Sequence, residues 1–278
     1  PLLVLMAHQL FNSNVEKSLP SAIAIELFHN FTLLHDDIMD NAPIRRGHPT
    51  VHKKWNDNVA ILSGDVMMIK AYQLLSMLDA DILKDVLDVF NKAAVEVCEG
   101  QQLDMDFENQ ETIYLIDYMR MIECKTAVLL AASLKIGGIT AGASLENQDH
   151  LYEFGKNIGI AFQLKDDLLD TFGTPKSFGK KVGGDIIANK KTFLYLKTLQ
   201  LADSEDKHKL KSYYLEDFSE KDKVDNVKLI FEKYQVSKHT TDMMKAYYTK
   251  AIKHLDAIKS SNKEPLIYFA NKLMDRIS

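Results

Sequence analysis

Long apolar runs with helical spacing, interrupted by very few turn formers, constrain this chain more than any other feature. Its 278 residues include only six prolines and twelve glycines, clustered at a few points. The period-2 alternation that builds half-buried strands is almost absent. Apolar residues recurring at three- and four-residue intervals over such lengths predict an all-α protein. The spacing predicts helices over 2–12, 20–40, 58–78, 82–106, 113–135, 148–171 and 192–200. The more charged stretch 206–275 reads as three further amphipathic helices with breaks near 217–221 and 237–241. Ser18 is placed to cap the second helix near Pro20, a polar loop fills 41–57, and Gly137-Gly138 reads as a helix end. No low-complexity linker and no tandem repeat divides the chain. It therefore reads as a single domain over 1–278, long enough to bury a core without disulfides or structural metal.

Composition narrows the function classes. The formal net charge is -5, and no basic stripe with interleaved aromatics is present, so no nucleic-acid partner is expected. Two cysteines, Cys98 and Cys124, supply neither a disulfide framework nor a zinc spacing, and they favour a reducing compartment. No signal peptide is visible, so the expected location is the cytoplasm. Apolar stretches meet a charge or a proline before about 18 residues, so no transmembrane segment is expected.

The chemistry is concentrated in two acidic motifs of one form, Asp-Asp-x-x-Asp. The first is Asp36-Asp37-Ile38-Met39-Asp40 and the second Asp166-Asp167-Leu168-Leu169-Asp170, each closing a strongly apolar helix. Residues four apart share a helix face, so Asp36 and Asp40 can converge, as can Asp166 and Asp170. Asp37 and Asp167 are offset by about 100° and either point aside or support the others from behind. Three carboxylates at a helix C-terminus repel one another and oppose the negative end of the helix dipole, so cations must compensate them. Magnesium, a hard ion that bridges carboxylate and phosphate oxygens, resolves the conflict. Spacing alone leaves calcium open, although neither motif resembles a looped calcium site. One such motif reads equally well as a solvated helix end. Two of them, each followed by a basic glycine-containing loop, read as an acidic rim that holds several magnesium ions around a diphosphate.

The basic partners follow in order. Arg45 and Arg46 precede Gly47, and the planar guanidinium suits bidentate phosphate contacts. Lys180 and then Lys190-Lys191-Thr192 follow the second motif, with Gly179, Gly183 and Gly184 permitting close backbone approach. Lys125-Thr126 lies within a largely apolar helix, whereas Lys181 and Lys191 read as solvated charges. His29 sits two turns before Asp36 on the same face, although a histidine on an apolar helix is more often a satisfied core residue than a ligand. Gln163 can point toward the same cavity as Asp166, and Gln101 and Asp104 read as supporting groups.

From ELFHNFTLLHDDIMDNAPIRRGHPT through GQQLDMD, ECKTAVLL, FQLKDDLLD and GKKVGGDIIANKKT, the chain resembles the trans-isoprenyl diphosphate synthases (polyprenyl synthetases) over nearly its whole length. The resemblance implies the isoprenoid synthase fold, a large antiparallel helical bundle around a central cavity. It implies head-to-tail (1′-4) condensation of isopentenyl diphosphate with an allylic diphosphate (dimethylallyl, geranyl or farnesyl). Three Mg²⁺ ions are implied, with Asp36, Asp40 and Asp166 as ligands, Asp37 and Asp170 in close support, and Asp167 counted with the catalytic aspartates. Arg45, Lys125, Lys180 and Lys190 match positions that hold the allylic diphosphate. Thr126 and Gln163 match polar groups at the allylic end, and Arg46 and His29 match those that hold the diphosphate of isopentenyl diphosphate. Family members carry a Gly-Lys-Arg-x-Arg stretch just before the position of Pro1, usually preceded by a helix. The sequence as given reads as lacking both.

Product length is expected to depend on Thr32, Phe31 and Phe28, which lie four, five and eight residues before Asp36. A bulky aromatic at Phe31 resembles the short-chain pattern, with C20 expected and C15 the alternative. Met67, Met68 or Tyr72 are candidates for the other wall, although helix-packing core is their ordinary reading. The resemblance also implies a homodimer, for which part of 82–106 or 113–135 offers candidate helices. A terpene cyclase and a non-catalytic partner subunit of a prenyl synthase are the competing readings. The second aspartate motif, with His29 and Arg46, weighs against the first. Retention of both motifs weighs against the other.

Overall fold

The computed structural model describes residues 1–173, 182–260 and 262–275. Among these the protein is all-α, as the apolar spacing predicts, apart from one short antiparallel ribbon of Ile44–Arg45 with His48–Pro49. The chain divides into two compact units, each assembled from segments distant in sequence. One comprises Pro1–Ala93, Leu130–Tyr152 and Ala257–Lys263; the other comprises Ala94–Leu129, Glu153–Asp256 and Glu264–Ser278.

The first unit is organised around α2 (Leu19–Met39) and α4 (Asp57–Leu75), with α1 (Leu2–Gln9), the short α3 (Val51–Lys54), the start of α5 (Ala80–Asn109) and most of α7 (Val128–Thr140). Pro20 stands in the first turn of α2, where the amide it lacks would have had no helical partner. Ser18 occupies the N-cap position, but its hydroxyl donates to the Val15 carbonyl at 2.8 Å instead of accepting from the helix. At the other end Asn41 adopts a left-handed conformation (φ 50°). Its N–H bonds the Ile38 carbonyl at 3.1 Å and the Ala42 N–H bonds the Asp37 carbonyl at 2.9 Å, which together make a Schellman turn. The chain then reverses through Arg46 (φ 52°) and Gly47 (φ 79°), a two-residue hairpin loop of the primed kind, where the sequence predicts a plain polar loop.

Close helix approach explains two glycines of this unit. A Cβ at Gly64 of α4 would come within 2.5 Å of His35 Nε2 and 3.3 Å of the Phe31 ring, so α2 and α4 meet there. A Cβ at Gly137 would lie 2.3 Å from the Val4 carbonyl oxygen. Gly137-Gly138 therefore does not end its helix, contrary to the expectation above. The glycine admits α1, and α7 runs on to Thr140.

The second unit holds the C-terminal part of α5, α6 (Leu115–Ile122), a π-helical turn (Glu123–Ala127) and most of α8 (Leu145–Phe172). It continues with α9 (Gly184–Ile187), α10 (Phe193–Leu201), α11 (Ser204–Leu215), α12 (Glu220–Lys233), α13 (Val236–Ala257) and α14 (Glu264–Asp275). Its core joins Leu164 of α8 to Phe193 and Leu194 of α10, Phe231 of α12 and Met244 of α13. Among the described residues four helices follow residue 203, where the sequence reading has three. The break expected near 237–241 falls at Gln235, which is left-handed (φ 49°), and another lies between Ala257 and Glu264. Neither break carries glycine; Pro265, in the first turn of α14, is the signal that marks the second. Among the described residues no helix is long and apolar enough to cross a membrane.

Gly137→Ala must separate α1 from α7. The expected cost is about 1–3 kcal/mol, an overpacking penalty. Scanning calorimetry should show it as a fall of roughly 2–4 °C in Tm per kcal/mol.

Candidate active site

In the first unit, the Schellman turn and hairpin bring Arg45 back across the end of α2. Its Nη2 donates to Asp36 Oδ2 at 2.9 Å and its Nε to Asp37 Oδ1 at 2.7 Å. Asp37 is buried, Asp36 half-buried and Asp40 exposed at the helix C-cap. Thr50 fastens the ribbon, its Oγ1 donating to the Ala42 carbonyl at 2.7 Å. His29 is half-buried; burial pushes its pKa down, with Arg46 and Arg45 adding to the effect and Glu26 opposing it. Arg46 itself is exposed. Thr32 Oγ1 donates to the His29 carbonyl at 2.8 Å. Phe28 is fully buried, its ring edge-on to Phe90 at 5.2 Å and 5.7 Å from the ring of Phe31.

In the second unit, one cavity gathers side chains from α5, α6, the π turn, α8 and the segment before α10. Lys125, Thr126, Gln163, Asp167, Asp185 and Lys190 all line it. Lys125 Nζ donates to Asp104 Oδ2 at 2.6 Å. Thr126 Oγ1 donates to Gln163 Oε1 at 3.2 Å, and Gln163 Nε2 to Asp167 Oδ1 at 3.3 Å. The Tyr118 hydroxyl donates to the other oxygen of Asp167. Burial pushes Asp167 well above the usual carboxylate range, and the nearby Asp185 charge adds to this. The bonds from Tyr118, Gln163 and the Phe193 N–H act in the opposite sense. Burial likewise raises Tyr118, with the Asp167 charge beside it.

Gln163 and Asp167 lie one turn apart on α8 and share the cavity face, so the middle aspartate of the second motif is the one that lines it. Its offset from Asp166 and Asp170 carries it to Tyr118 and Gln163. Asp166 is half-buried. Asp170 is buried and accepts the Asp185 N–H at 2.9 Å, while its carbonyl accepts the Gly183 N–H at 2.6 Å, which ties the glycine loop to the motif. Lys180, with Gly179 and Lys181, lies outside the described residues.

Lys191 departs from its reading as a solvated charge. It is half-buried and donates to the Phe107 carbonyl at 2.9 Å and to the Gln110 carbonyl, at the C-terminal end of α5. Orphan carbonyls and the dipole at a helix C-terminus draw a cation there. Tyr118, Asp185, Asn189 and Lys191 are cavity residues that pattern reading passed over. The Gly183-Gly184-Asp185 sequence offered a signal for one of them, whereas Tyr118 looks like any aromatic on an amphipathic helix. Lys191→Met leaves two carbonyls without their donor and should lower stability by about 1–3 kcal/mol, measured by urea denaturation.

Among the described residues no three His, Cys, Asp or Glu side chains are grouped to hold a metal ion. The donor set nevertheless fits magnesium. Each motif offers hard carboxylate oxygens at a helix end, and Mg²⁺ is ordinarily held by one or two carboxylates with phosphate and water completing the shell, not by an all-protein cage.

The polyprenyl synthetase family model matches residues 1–231. The short chain isoprenyl diphosphate synthase of Methanocaldococcus jannaschii is 44% identical over 211 residues, covering 76% of this chain and 64% of that protein. The geranylgeranyl diphosphate synthase of Methanosarcina mazei is 43% identical over 202 residues, covering 72% of this chain and 62% of that one. The matches thus span less than two thirds of the length of these two relatives. A crystal structure of a geranylgeranyl pyrophosphate synthase superposes with a TM-score of 0.95 at 43% identity, covering 100% of this chain and 87% of the other. With both aspartate motifs and the Lys125-Thr126 turn lying inside the matched span, the chain belongs to the polyprenyl synthetase family.

Proposed function

We propose that the protein is a magnesium-dependent trans-prenyl diphosphate synthase. It joins isopentenyl diphosphate head to tail to an allylic diphosphate (dimethylallyl, geranyl or farnesyl) and releases a short all-trans product. The convergence of Lys125, Thr126, Gln163, Asp167 and Lys190 on one cavity carries this reading. The single domain of 1–278 and a cytoplasmic location belong to the same proposal.

In this reading Lys125 and Lys190, with Lys180 and Arg45, hold the allylic diphosphate, and Thr126 and Gln163 face its C1 end. Arg46 and His29 hold the diphosphate of isopentenyl diphosphate. Asp36, Asp40 and Asp166 are the ligands of three Mg²⁺ ions, supported by Asp37, Asp167 and Asp170. When bound, magnesium acts as a Lewis acid on the departing diphosphate. The lysines and arginines stabilise the same negative charge as the allylic C–O bond breaks and the electron pair leaves with the diphosphate. The double bond of isopentenyl diphosphate attacks C1, and the proton lost from the adduct goes to the released diphosphate. Lys125 enters the reaction by exchanging Asp104 for phosphate, and Arg45 by exchanging Asp36 and Asp37.

Phe31, packed against Phe28, His35 and the Gly64 approach, supports a short product, C20 before C15. A homodimer is also proposed. Its support is an apolar stripe on α4, where Leu62 (64% exposed), Val66 (50%) and Ile69 (58%) recur at helical spacing. The segments 82–106 and 113–135 belong to the same proposal.

The test is a product assay on the whole protein with Mg²⁺, labelled isopentenyl diphosphate and each primer from C5 to C15. A dominant C20 alcohol after dephosphorylation is expected, and Phe31→Ala should lengthen it. Asp36→Asn and Asp166→Asn should each lower kcat/KM by about 10²–10³-fold, the usual scale for losing one group that stabilises developing charge. Absence of condensation with every primer would overturn the synthase reading, and a cyclic hydrocarbon formed from an allylic diphosphate alone would replace it with a cyclase.

A further inference from the structure

The π turn Glu123–Ala127 is the one irregularity in a helical stretch that otherwise runs from Leu115 to Thr140. Its mark is the Val128 N–H bonding the Glu123 carbonyl, five residues back. A π turn takes in one residue more than an α turn, so side chains five apart return to one face. Met121 and Thr126, five apart, both line the cavity, beside Ile122 and Lys125.

Two glycines on different helices meet this turn. A Cβ built on Gly100 of α5 would lie 2.3 Å from the Lys125 backbone nitrogen and 2.7 Å from the Cys124 carbonyl carbon. A Cβ built on Gly159 of α8 would lie 2.6 Å from Ala127 Cα and 2.8 Å from its Cβ. Contacts between carbon atoms are favourable only near 3.5–4.0 Å, so neither position admits even a methyl group without moving the turn. The obstructing atoms are backbone, or a Cβ fixed to it, and cannot rotate away. Each glycine is also followed, one helical turn on, by the side chain that engages the turn. Asp104, four residues after Gly100, accepts from Lys125 at 2.6 Å; Gln163, four after Gly159, accepts from Thr126 at 3.2 Å. Residues four apart on a helix share a face, so on both helices the glycine and its polar partner present one surface to the turn.

We propose that Gly100 and Gly159 are positioning residues for prenyl transfer: by admitting the π turn between α5 and α8 they set the backbone from which Lys125 and Thr126 reach Asp104, Gln163 and the cavity. The inference rests on the synthase reading above. A side chain at either glycine pushes the turn outward, and Lys125 and Thr126 move with it although neither has been changed. Their grip on the allylic substrate weakens, while the groups assigned to isopentenyl diphosphate, His29 and Arg46, stand on other elements and keep theirs.

The experiment compares the whole protein with Gly100→Ala, Gly159→Ala and Gly138→Ala, the last a buried helical glycine of α7 whose added Cβ would meet the Leu151 side chain instead of backbone. The expected result is a tenfold or larger rise in KM for the allylic diphosphate for the first two variants. KM for isopentenyl diphosphate should stay within about twofold, and Gly138→Ala should leave both constants near those of the parent, which separates positioning from a general packing cost. Equal changes in the constants for both substrates, or none, would overturn the proposal. Where one alanine variant does not fold, the other glycine's variant carries the same reading; failure of both to fold while Gly138→Ala folds would assign the two glycines to folding and overturn the proposal. The unmodified protein is assayed first, so that failure of the synthase reading, seen as no product from the parent, is distinct from failure of this one.

Discussion

Carboxylates buried at the ends of apolar helices impose the condition that the rest of the site has to meet. Asp37, Asp167 and Asp170 are 4%, 2% and 6% exposed, and an uncompensated charge at such depth costs several kcal/mol. Three different solutions appear. Asp37 takes a guanidinium from Arg45. Asp170 takes a backbone N–H from Asp185. Asp167 takes the Tyr118 hydroxyl, the Gln163 amide and a backbone N–H, and its hold on a proton rises as well. Each solution also does structural work. The first fixes a hairpin over the end of α2, the second fastens the glycine loop to α8, and the third joins α6 to α8. The first motif thereby fixes where Arg45 stands, and the second holds Gly183 and Asp185.

With a formal net charge of -5, the chain deploys its cations individually, and several lysines do so inside the fold. Lys191 closes the carbonyl end of α5. Lys165, only 2% exposed, donates to the Leu273 carbonyl near the end of α14. Lys223, also buried, donates to Asn189 and lies 5.3 Å over the ring of Tyr214. Asn189 is left-handed (φ 58°) and immediately precedes Lys190. Lys223 and Lys191 thus hold that loop from either side of Lys190, which leaves Lys190 directed at the cavity. Each ammonium group meets oxygen acceptors or an aromatic face that offset its lost hydration.

Backbone proximity is the other recurring device, and it explains the glycines inside helices, among them Gly137, which the sequence reading takes as a helix end. Gly64, Gly100, Gly137 and Gly159 all lie inside helices, and at each an added Cβ would meet another element closer than 3 Å. The interior glycine weakens its own helix by roughly 1 kcal/mol relative to alanine. The close packing it permits is specific to one neighbour, so the same residue type marks α1 against α7, α2 against α4, and α5 and α8 against the π turn.

The sequence by itself determined the helical class, most helix positions to within a few residues, and the two aspartate motifs with their following basic residues. These are local properties: apolar spacing, turn chemistry, and charge that cannot stand alone on an apolar helix. It also pointed to Lys125, Thr126, Gln163 and Lys190, although for separate reasons. Only the tertiary structure decided that these four share a cavity, that the middle aspartate of the second motif lines it, that Lys191 serves a helix end, and that Gly137 lies within a helix. Each of those outcomes depends on which backbone or carbonyl of a distant segment comes within about 3 Å, the reach of a hydrogen bond or the clearance of a methyl group. Such proximity belongs to pairs of elements and leaves no periodic trace in either one alone.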